Sequence, residues 1–413
     1  MQHVPTSNEN QRLRRQRLAY VSGPVDAVAM YHDYRADTHR HNFGTSYLKQ
    51  LFALSDQHGF DLLVITTLAD VAYDTTIDQV TLVNIPIPTS QRGLAFHRAM
   101  LAWTQHAIAR IRAWDADAAL LTAGQNYFFA FERLHRAGVM LLISLHCVLL
   151  PKFGRAPRSW RALQWLNAHT VFRHAVAIIG VSRDVIDQVE NLSPATVGHT
   201  AVFRPTYSDG AFAEIHPPAW SAERTFRLLF VGRVEANKGV FDLVSAMRRV
   251  AERLPARVHV DVCGGGSAMG TLREEVAGTG LGDCITLHGE CAADRIREFY
   301  GASHAVIVPT TSDFEEGYNK VCAEAVLAGR PVITSAVCPA LRDISPAAIE
   351  VPPDDVAAYA DAVIALATDA DLYGRLVAAT RPLQSQFYQS ANSYGAVVES
   401  QLRSAGVITD GAV

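Results

Sequence analysis

The feature that most constrains this chain is an alternation, sustained almost from end to end, of short β-branched or aliphatic runs with longer segments of helical period. A short apolar run followed by an amphipathic stretch is a strand feeding a crossover helix, and a series of such units winds a parallel sheet covered by helices. In the first half the spacing predicts strands near Leu18–Ser22, Asp61–Thr66, Ala118–Thr122, Val139–Leu145 and Val176–Gly180, with helices near Thr45–Gln57, Leu94–Trp114 and Ser159–His174. The second half repeats the plan. Its strands are predicted near Arg227–Val231, Val258–Cys263, Ile285–His288, Ala305–Val308 and Pro331–Thr334, and its helices near Val240–Arg253, Arg295–Tyr300, Asn319–Leu327 and Val356–Thr368. Between the halves, Arg204–Arg224 holds Pro205, Pro217 and Pro218 in a polar context, which places a boundary there.

At 413 residues the chain exceeds one ordinary core and suits two α/β domains of about 200 residues each, which implies a cleft between them. The expected division is 1–205, 206–390, and a C-terminal helix and tail at 391–413 that can pack back on the first domain. Apolar residues at 49% and charged residues at 19% exclude a disordered or fibrous chain. A net charge of −4 argues against a duplex nucleic-acid partner, whose binding domain would carry a basic surplus. The six cysteines form no C-x-x-C pair and several sit in apolar runs, so reduced buried thiols in a cytoplasmic protein are expected. Residues 1–17 lack an apolar core, and no run approaches the ~18 apolar residues of a spanning helix.

Open α/β sheets bind ligands where loops and helix N-termini converge at the carboxyl ends of the strands. In the second half, Leu228-Leu-Phe-Val-Gly-Arg-Val-Glu-Ala-Asn-Lys-Gly239 reads as strand, glycine, loop and helix, with Arg233 and Lys238 beside the strand end. Two such cations can stabilise the negative charge on a leaving diphosphate without a metal. Taken alone, the run reads first as two solvated loop cations after a buried strand. Farther on, Glu315–Pro331 reads as a loop, a helix from about Asn319 and a stop at Gly329. Glu316 sits at the mouth of that loop, and Glu324, eight residues on, lies within the helix where it can face the crevice. The free amides of Gly317, Tyr318 and Asn319 form an anion site, and Lys320 in the first turn opposes the helix dipole unless an anion compensates.

These two runs together resemble the donor-binding signatures of family 4 glycosyltransferases, retaining enzymes of the GT-B fold among the glycosyl transferases group 1. The matching strings are Gly232-Arg233-Val-Glu-Ala-Asn-Lys238-Gly239, and Glu316-Gly317-Tyr318 through Glu324-Ala325. Val262-Cys-Gly-Gly-Gly-Ser267 is similar to the family's glycine turn, and Val351-Pro-Pro-Asp-Asp355 to its V-P-P-x-D turn. The resemblance implies two Rossmann-like parallel-sheet domains facing each other across a cleft. It implies a nucleotide-diphosphate-sugar donor, with Gly232, Arg233 and Lys238 at the diphosphate, Glu324 on the ribose hydroxyls, Glu316 on the transferring sugar, and Gly317, Tyr318 and Asn319 at sugar or phosphate oxygens. Asn319 stands where the family usually has a small residue. No metal cofactor is implied.

The first half is then expected to hold the acceptor. Gly44, in Asn42-Phe-Gly-Thr-Ser-Tyr-Leu48, resembles the second glycine of the family's loop between the first strand and helix, which places it beside the donor, while Asn42 and Phe43 depart from that pattern. Ile143-Ser-Leu-His-Cys147 is similar to the family's strand ending in a His-Asp pair, with Cys147 in the aspartate's place. A lone histidine at a strand end reads first as structural; the resemblance gives His146 a contact with the donor sugar and a catalytic role beside Glu316, Arg233 and Lys238. Ser182, at a strand-to-helix turn, reads as a helix cap.

Other clusters carry weaker chemistry. His32, His39 and His41 with Asp33 and Asp37 lack metal-ligand spacing and suit a wet acceptor loop. Asp115-Ala-Asp117 and Asp369-Ala-Asp371 each spell D-x-D but fall at element boundaries, where turns or caps are expected. No acidic residue lies between Glu132 and Asp184, while Arg133, Arg136, Lys152, Arg155, Arg158, Arg161, Arg173 and Arg183 do, interleaved with Trp160, Trp165 and Phe172. Such a stretch is either a solvated helix face or, through 152–174, a peripheral contact with the inner face of a membrane or an anionic acceptor. The expected function is sugar transfer from a nucleotide-diphosphate sugar to a hydroxyl of a glycan, a lipid-linked acceptor or a small molecule. The competing readings are an epimerase or phosphorylase on the same fold, and a non-catalytic sugar-nucleotide-binding protein.

Overall fold

The computed structural model describes residues 15–37, 44, 46–87, 93–122 and 127–408. His39, His41, Asn42 and Phe43 lie outside the described residues. The fold is α/β, with two sheets.

The first sheet has eight strands: β1 (Arg17–Val21), β2 (Asp61–Thr66), β3 (Tyr73–Ile77), β4 (Val80–Asn84), β5 (Ala118–Thr122), β6 (Met140–Leu145), β7 (Ala177–Gly180) and β8 (Thr200–Val202). Their order is β3-β4-β2-β1-β5-β6-β7-β8, and every neighbouring pair is parallel except β3 with β4. The second sheet joins β9 (Phe226–Val231), β10 (Val258–Cys263), β11 (Ile285–Gly289), β12 (Ala305–Val308), β13 (Val332–Ser335) and β14 (Ala348–Val351) in the order β11-β10-β9-β12-β13-β14, all parallel.

The longer helices in chain order are α1 (Ala27–Arg35), α2 (Tyr47–His58), α3 (Gly93–Ala113), α4 (Arg158–Thr170), α5 (Arg183–Leu192), α6 (Val240–Arg253), α7 (Met269–Thr279), α8 (Ala293–Ala302), α9 (Lys320–Leu327), α10 (Val356–Thr368), α11 (Ala370–Leu383) and α12 (Tyr394–Ser404). The central strands are buried on both faces and read as unbroken apolar runs, as parallel strands sandwiched between helices must.

The β3–β4 hairpin was not expected from the sequence. Tyr73-Asp-Thr-Thr-Ile77 is an edge strand with alternately exposed residues, so it carries polar side chains instead of an apolar run. Helices α1, α7 and α11 were not expected either. Gly270 and Gly278 weaken the helical signal of α7, and Pro382 falls inside α11.

Two passes of chain join the lobes. The linker after β8 runs beside the returning C-terminal segment, with Arg204 N donating to Asn392 O and Tyr207 N to Phe387 O. Helix α12 then packs on the first lobe against α2 and β7. Gly395 N donates to Gln50 Oε1 at 2.7 Å, and the Tyr394 ring packs tilted against Tyr47 and edge-on against Phe203, with ring centres 4.8 and 5.0 Å apart. Tyr394, Val398 and Leu402 are fully buried there, and the two aliphatic side chains each contribute about 2 kcal/mol of burial.

Strand order reverses between β1 and β5 in the first sheet and between β9 and β12 in the second. Each reversal sends neighbouring loops to opposite faces and opens a crevice at the carboxyl ends of the strands.

Candidate active site

The second sheet's crevice is built by the loops after β9 and β12. The strand β9 ends at Val231, and the backbone crosses Gly232 and Arg233 into the short 3-10 turn Ala236–Lys238. Gly239 ends that turn at φ 73°, where a Cβ would lie 1.8 Å from Pro309 O, so only glycine lets the two loops touch. The glycine turn after β10 backs the same loop: Gly232 N donates to Cys263 O, Val234 N to Gly265 O and Ala268 N to Val234 O. On the other side, Asp354 of the turn after β14 accepts from Ser312 N at 2.9 Å and from its hydroxyl, fixing the loop that leads to Glu316.

Within this frame Lys238 Nζ meets Glu316 Oε2 at 2.6 Å, and Asn319 Nδ2 donates to the same oxygen at 3.2 Å. Lys238 also sits 3.8 Å from the centre of the Phe314 ring, and the exposed Arg233 guanidinium 5.9 Å from it. Gly232, Lys238, Glu316, Asn319 and Lys320 line a cavity of about 160 Å³ between β9 and β12, at the reversal of strand order. Lys238 and Glu316, expected to serve separate parts of a donor, thus form an ion pair with each other. The pair holds both groups at the crevice, and an anion arriving there would compete for the ammonium.

Helix α9 begins at Lys320 with Asn319 as its cap residue, at φ 70° and ψ 92°, a conformation that few residues other than Gly, Asn or Asp accept. Glu324 is one turn farther on. Its two oxygens accept from different phenols, Oε1 from Tyr207 at 3.2 Å and Oε2 from Tyr300 at 3.1 Å. Loss of water around the carboxyl raises its pKa to about 7, and the Tyr300 hydrogen bond, Lys320 and the Tyr207 hydrogen bond oppose that rise. Tyr318 is buried and donates to Asp343 Oδ2 at 3.0 Å, while Arg204 grips Asp343 through both oxygens at 3.1 and 2.7 Å. Tyr318 therefore anchors the loop by its hydroxyl, and its backbone is what faces the helix start.

The first lobe meets this loop directly. A Cβ on Gly317 would lie 1.9 Å from His146 O and 3.1 Å from the Cys147 Cα, so the glycine is set by contact across the cleft. His146 bonds Ser144 Oγ through Nε2 at 2.9 Å and rests among Tyr47, Phe203 and Tyr394, with ring centres 4.9 to 5.7 Å away. Burial, with Lys320 adding to it, lowers its pKa to about 3, which keeps the ring neutral at physiological pH. Lys320 Nζ reaches over the Tyr47 ring at 4.8 Å. Tyr20, Ser22, Gly23, Thr122, His146 and Cys147 of the first lobe and Glu315 of the second enclose a further cavity of about 470 Å³, at the first sheet's reversal of strand order. Gly44 pairs with Tyr207 in an isolated bridge, which brings this glycine to the residue that donates to Glu324.

The remaining sequence clusters have structural duties. Ser182 Oγ accepts from Val185 N and caps α5; Asp369 accepts from Leu372 N and caps α11; Asp115 occupies a turn at φ 59°. The basic stretch divides: Lys152 pairs with Asp184, Arg136 with Glu132, and Arg183 with Asp187 and Glu190. Arg155, Arg158, Arg161 and Arg173 are exposed with no ion pair among the described residues, and Trp165 stands 57% exposed, stacked on His169. Trp160, by contrast, donates to Leu149 O. Sequence reasoning did not single out Tyr207, Tyr300 or Phe314, because a tyrosine in a linker or a phenylalanine in a loop carries no spacing signal.

Residues 225–369 match the family model described as glycosyl transferases group 1. A D-inositol 3-phosphate glycosyltransferase from Thermobifida fusca is 31% identical over 140 residues, which is 32% of this chain and 32% of that protein. The aligned part thus spans about a third of that curated relative. Whole-fold similarity is broader: sucrose-phosphate synthase from Thermosynechococcus elongatus superposes with a TM-score of 0.71 at 18% identity, covering 96% of this chain and 100% of that one. Anabaena HepE in complex with UDP superposes at 0.66 with 14% identity, covering 94% and 100%. Residues 225–369 thus carry a domain similar to the glycosyl transferases group 1, and the whole chain has the fold of two-lobed GT-B structures.

Proposed function

We propose that the chain is a retaining glycosyltransferase that moves a sugar from a nucleotide-diphosphate-sugar donor to a hydroxyl acceptor. The observation that carries this reading is the convergence of Lys238, Glu316 and the N-terminus of α9 at the second sheet's reversal point, with Glu324 one turn along the same helix. Proteins of similar fold, among them Anabaena HepE in complex with UDP, support a nucleotide-sugar donor.

In this reading Arg233 and Lys238 receive the diphosphate and stabilise its charge as the sugar–phosphate bond breaks, so no metal is needed. Lys238 exchanges its bond to Glu316 for one to phosphate, which frees Glu316 for the sugar hydroxyls. The Gly317–Asn319 amides meet sugar or phosphate oxygens, and Glu324 accepts from the ribose hydroxyls. Neutral His146 serves as a hydrogen-bonding partner for the sugar at the lobe junction, without a positive charge to repel the developing oxocarbenium ion.

The acceptor enters from the first lobe. The arginines and Trp165 on and around α4 suit an anionic lipid surface that would present it. Among the described residues no helix is long and apolar enough to cross a membrane.

The test is a panel of nucleotide-diphosphate sugars with glycan, lipid and small-molecule acceptors, following nucleoside diphosphate release in the presence and absence of EDTA. We expect acceptor-dependent release that EDTA leaves unchanged, and a product whose anomeric configuration by NMR matches the donor. Product from donor alone would instead mark an epimerase, and binding without turnover a sensor. Glu324→Ala is expected to weaken nucleotide binding at least tenfold, the loss of a charge-assisted acceptor. Lys238→Ala should lower kcat by a hundredfold or more, in line with removal of one preorganised charge. Unchanged activity in both variants would overturn the assignment.

A further inference from the structure

Both oxygens of Glu324 are held by phenols, and the two phenols come from different parts of the chain. Tyr300 lies on α8 within the second lobe, whereas Tyr207 lies on the linker between the lobes. The Tyr207 side chain is 4% exposed. Its hydroxyl lies 3.2 Å from Glu324 Oε1 and 3.4 Å from Lys320 O, so its proton has two acceptors on the first turns of α9. Its backbone is fixed on two further sides, by the bridge to Gly44 of the first lobe and by the bond from its N–H to Phe387 O of the returning segment. The ring packs edge-on against Phe212, which packs in the same way against Tyr300, so the two phenols share one apolar support beneath the carboxylate.

We propose that Tyr207 is a positioning residue for the donor site: from the linker, its hydroxyl aims the Glu324 carboxylate toward the ribose and keeps it a hydrogen-bond acceptor. A carboxyl that must accept from ribose hydroxyls is useful only while ionised, and its crevice opposes ionisation by removing water. Three groups favour the charged form: Lys320 on its own helix, Tyr300 from α8 and Tyr207 from the linker. Tyr207 is the one attached to the part of the chain that sets the lobes' relative position. Donor affinity is thereby linked to the linker and, through Gly44, to the first lobe.

The inference rests on the proposed role of Glu324, and the two can fail separately. The Glu324 carboxyl is titrated by infrared difference spectroscopy of wild type against Glu324→Gln, and again in Tyr207→Phe and Tyr300→Phe, with thermal melts confirming the fold. Binding of UDP, GDP and ADP is measured from pH 6 to pH 9. Removing a phenol that donates to the carboxylate raises the Glu324 midpoint, by about one pH unit from about 7. Tyr207→Phe is then expected to bind the preferred diphosphate about fivefold more weakly at pH 7 and equally well at pH 9, where both carboxyls are ionised. Tyr300→Phe should shift the midpoint in the same direction. An unmoved midpoint in Tyr207→Phe, or a binding defect that persists at pH 9, would overturn the positioning role. Glu324→Gln binding all three diphosphates like wild type would overturn the ribose assignment and leave the infrared result standing for Tyr207.

Discussion

Gly317 separates two reasons for a glycine that a sequence cannot tell apart. Its backbone is not in the left-handed region; what requires it is His146 O, which a Cβ would approach to 1.9 Å. Gly317→Ala must therefore push the loop and the first lobe apart. We expect kcat/KM to fall a hundredfold or more with only a modest drop in melting temperature, because the clash is relieved by moving lobes and not by opening a core. A wild-type kcat/KM in that variant would show that the contact is dispensable. Glu316 and Glu324 stand out in the sequence because they share one strand–loop–helix unit, and Lys238 because it follows the end of another parallel strand, where such sheets bind ligands. Tyr207 and Tyr300 reach the same carboxylate from 117 and 24 residues away, and no local pattern encodes such a meeting. The pairing of Lys238 with Glu316 was hidden for a related reason. Each group reads from sequence as facing a ligand, and only the loop geometry brings them within 2.6 Å of each other.

At the scale of elements, the buried parallel strands announce themselves and the edges do not. Asp61–Thr66, Ala118–Thr122 and Ala305–Val308 have the predicted bounds, since burial on both faces demands a near-continuous apolar run, and Val258–Cys263 keeps its bounds through the β-branched residues that alternate with His259 and Asp261. The edge strand β3 and the four-residue β14 satisfy weaker demands and leave weaker patterns. Caps were legible where a short polar side chain precedes a periodic stretch, as with Ser182 and Asp369. Asp369 allows a direct check that its D-x-D string is helix chemistry. Asp369→Ala should cost about 1 kcal/mol of stability, the usual loss of an N-cap, with turnover and its response to EDTA unchanged. A loss of activity restored by added divalent metal would instead revive the metal-motif reading.

For the whole molecule, the two-sheet α/β plan was readable, but how tightly the lobes engage depends on side chains that meet only after folding. Arg342, on the short helix Leu341–Ile344 of the second lobe, faces α5 of the first, with Nη1 3.2 Å from Asp187 and Nε 3.5 Å from Asp184. Neither aspartate depends on it alone, since Lys152 holds Asp184 at 2.8 Å and Arg183 holds Asp187 at 2.7 Å. Its side chain is 56% exposed, so each pair is worth at most about 1 kcal/mol and is screened by salt. The contact is thus too weak to fold the protein and strong enough to bias an opening equilibrium. Arg342→Ala should shift the closed-to-open ratio by up to about fivefold per lost pair, seen as a larger radius of gyration in X-ray scattering at low salt, with an unchanged melting temperature. In 0.5 M salt the wild type should approach the variant, because the lost interaction is the one that salt screens. Scattering curves that coincide at low salt would place lobe engagement with the Gly317–His146 contact and the linker alone.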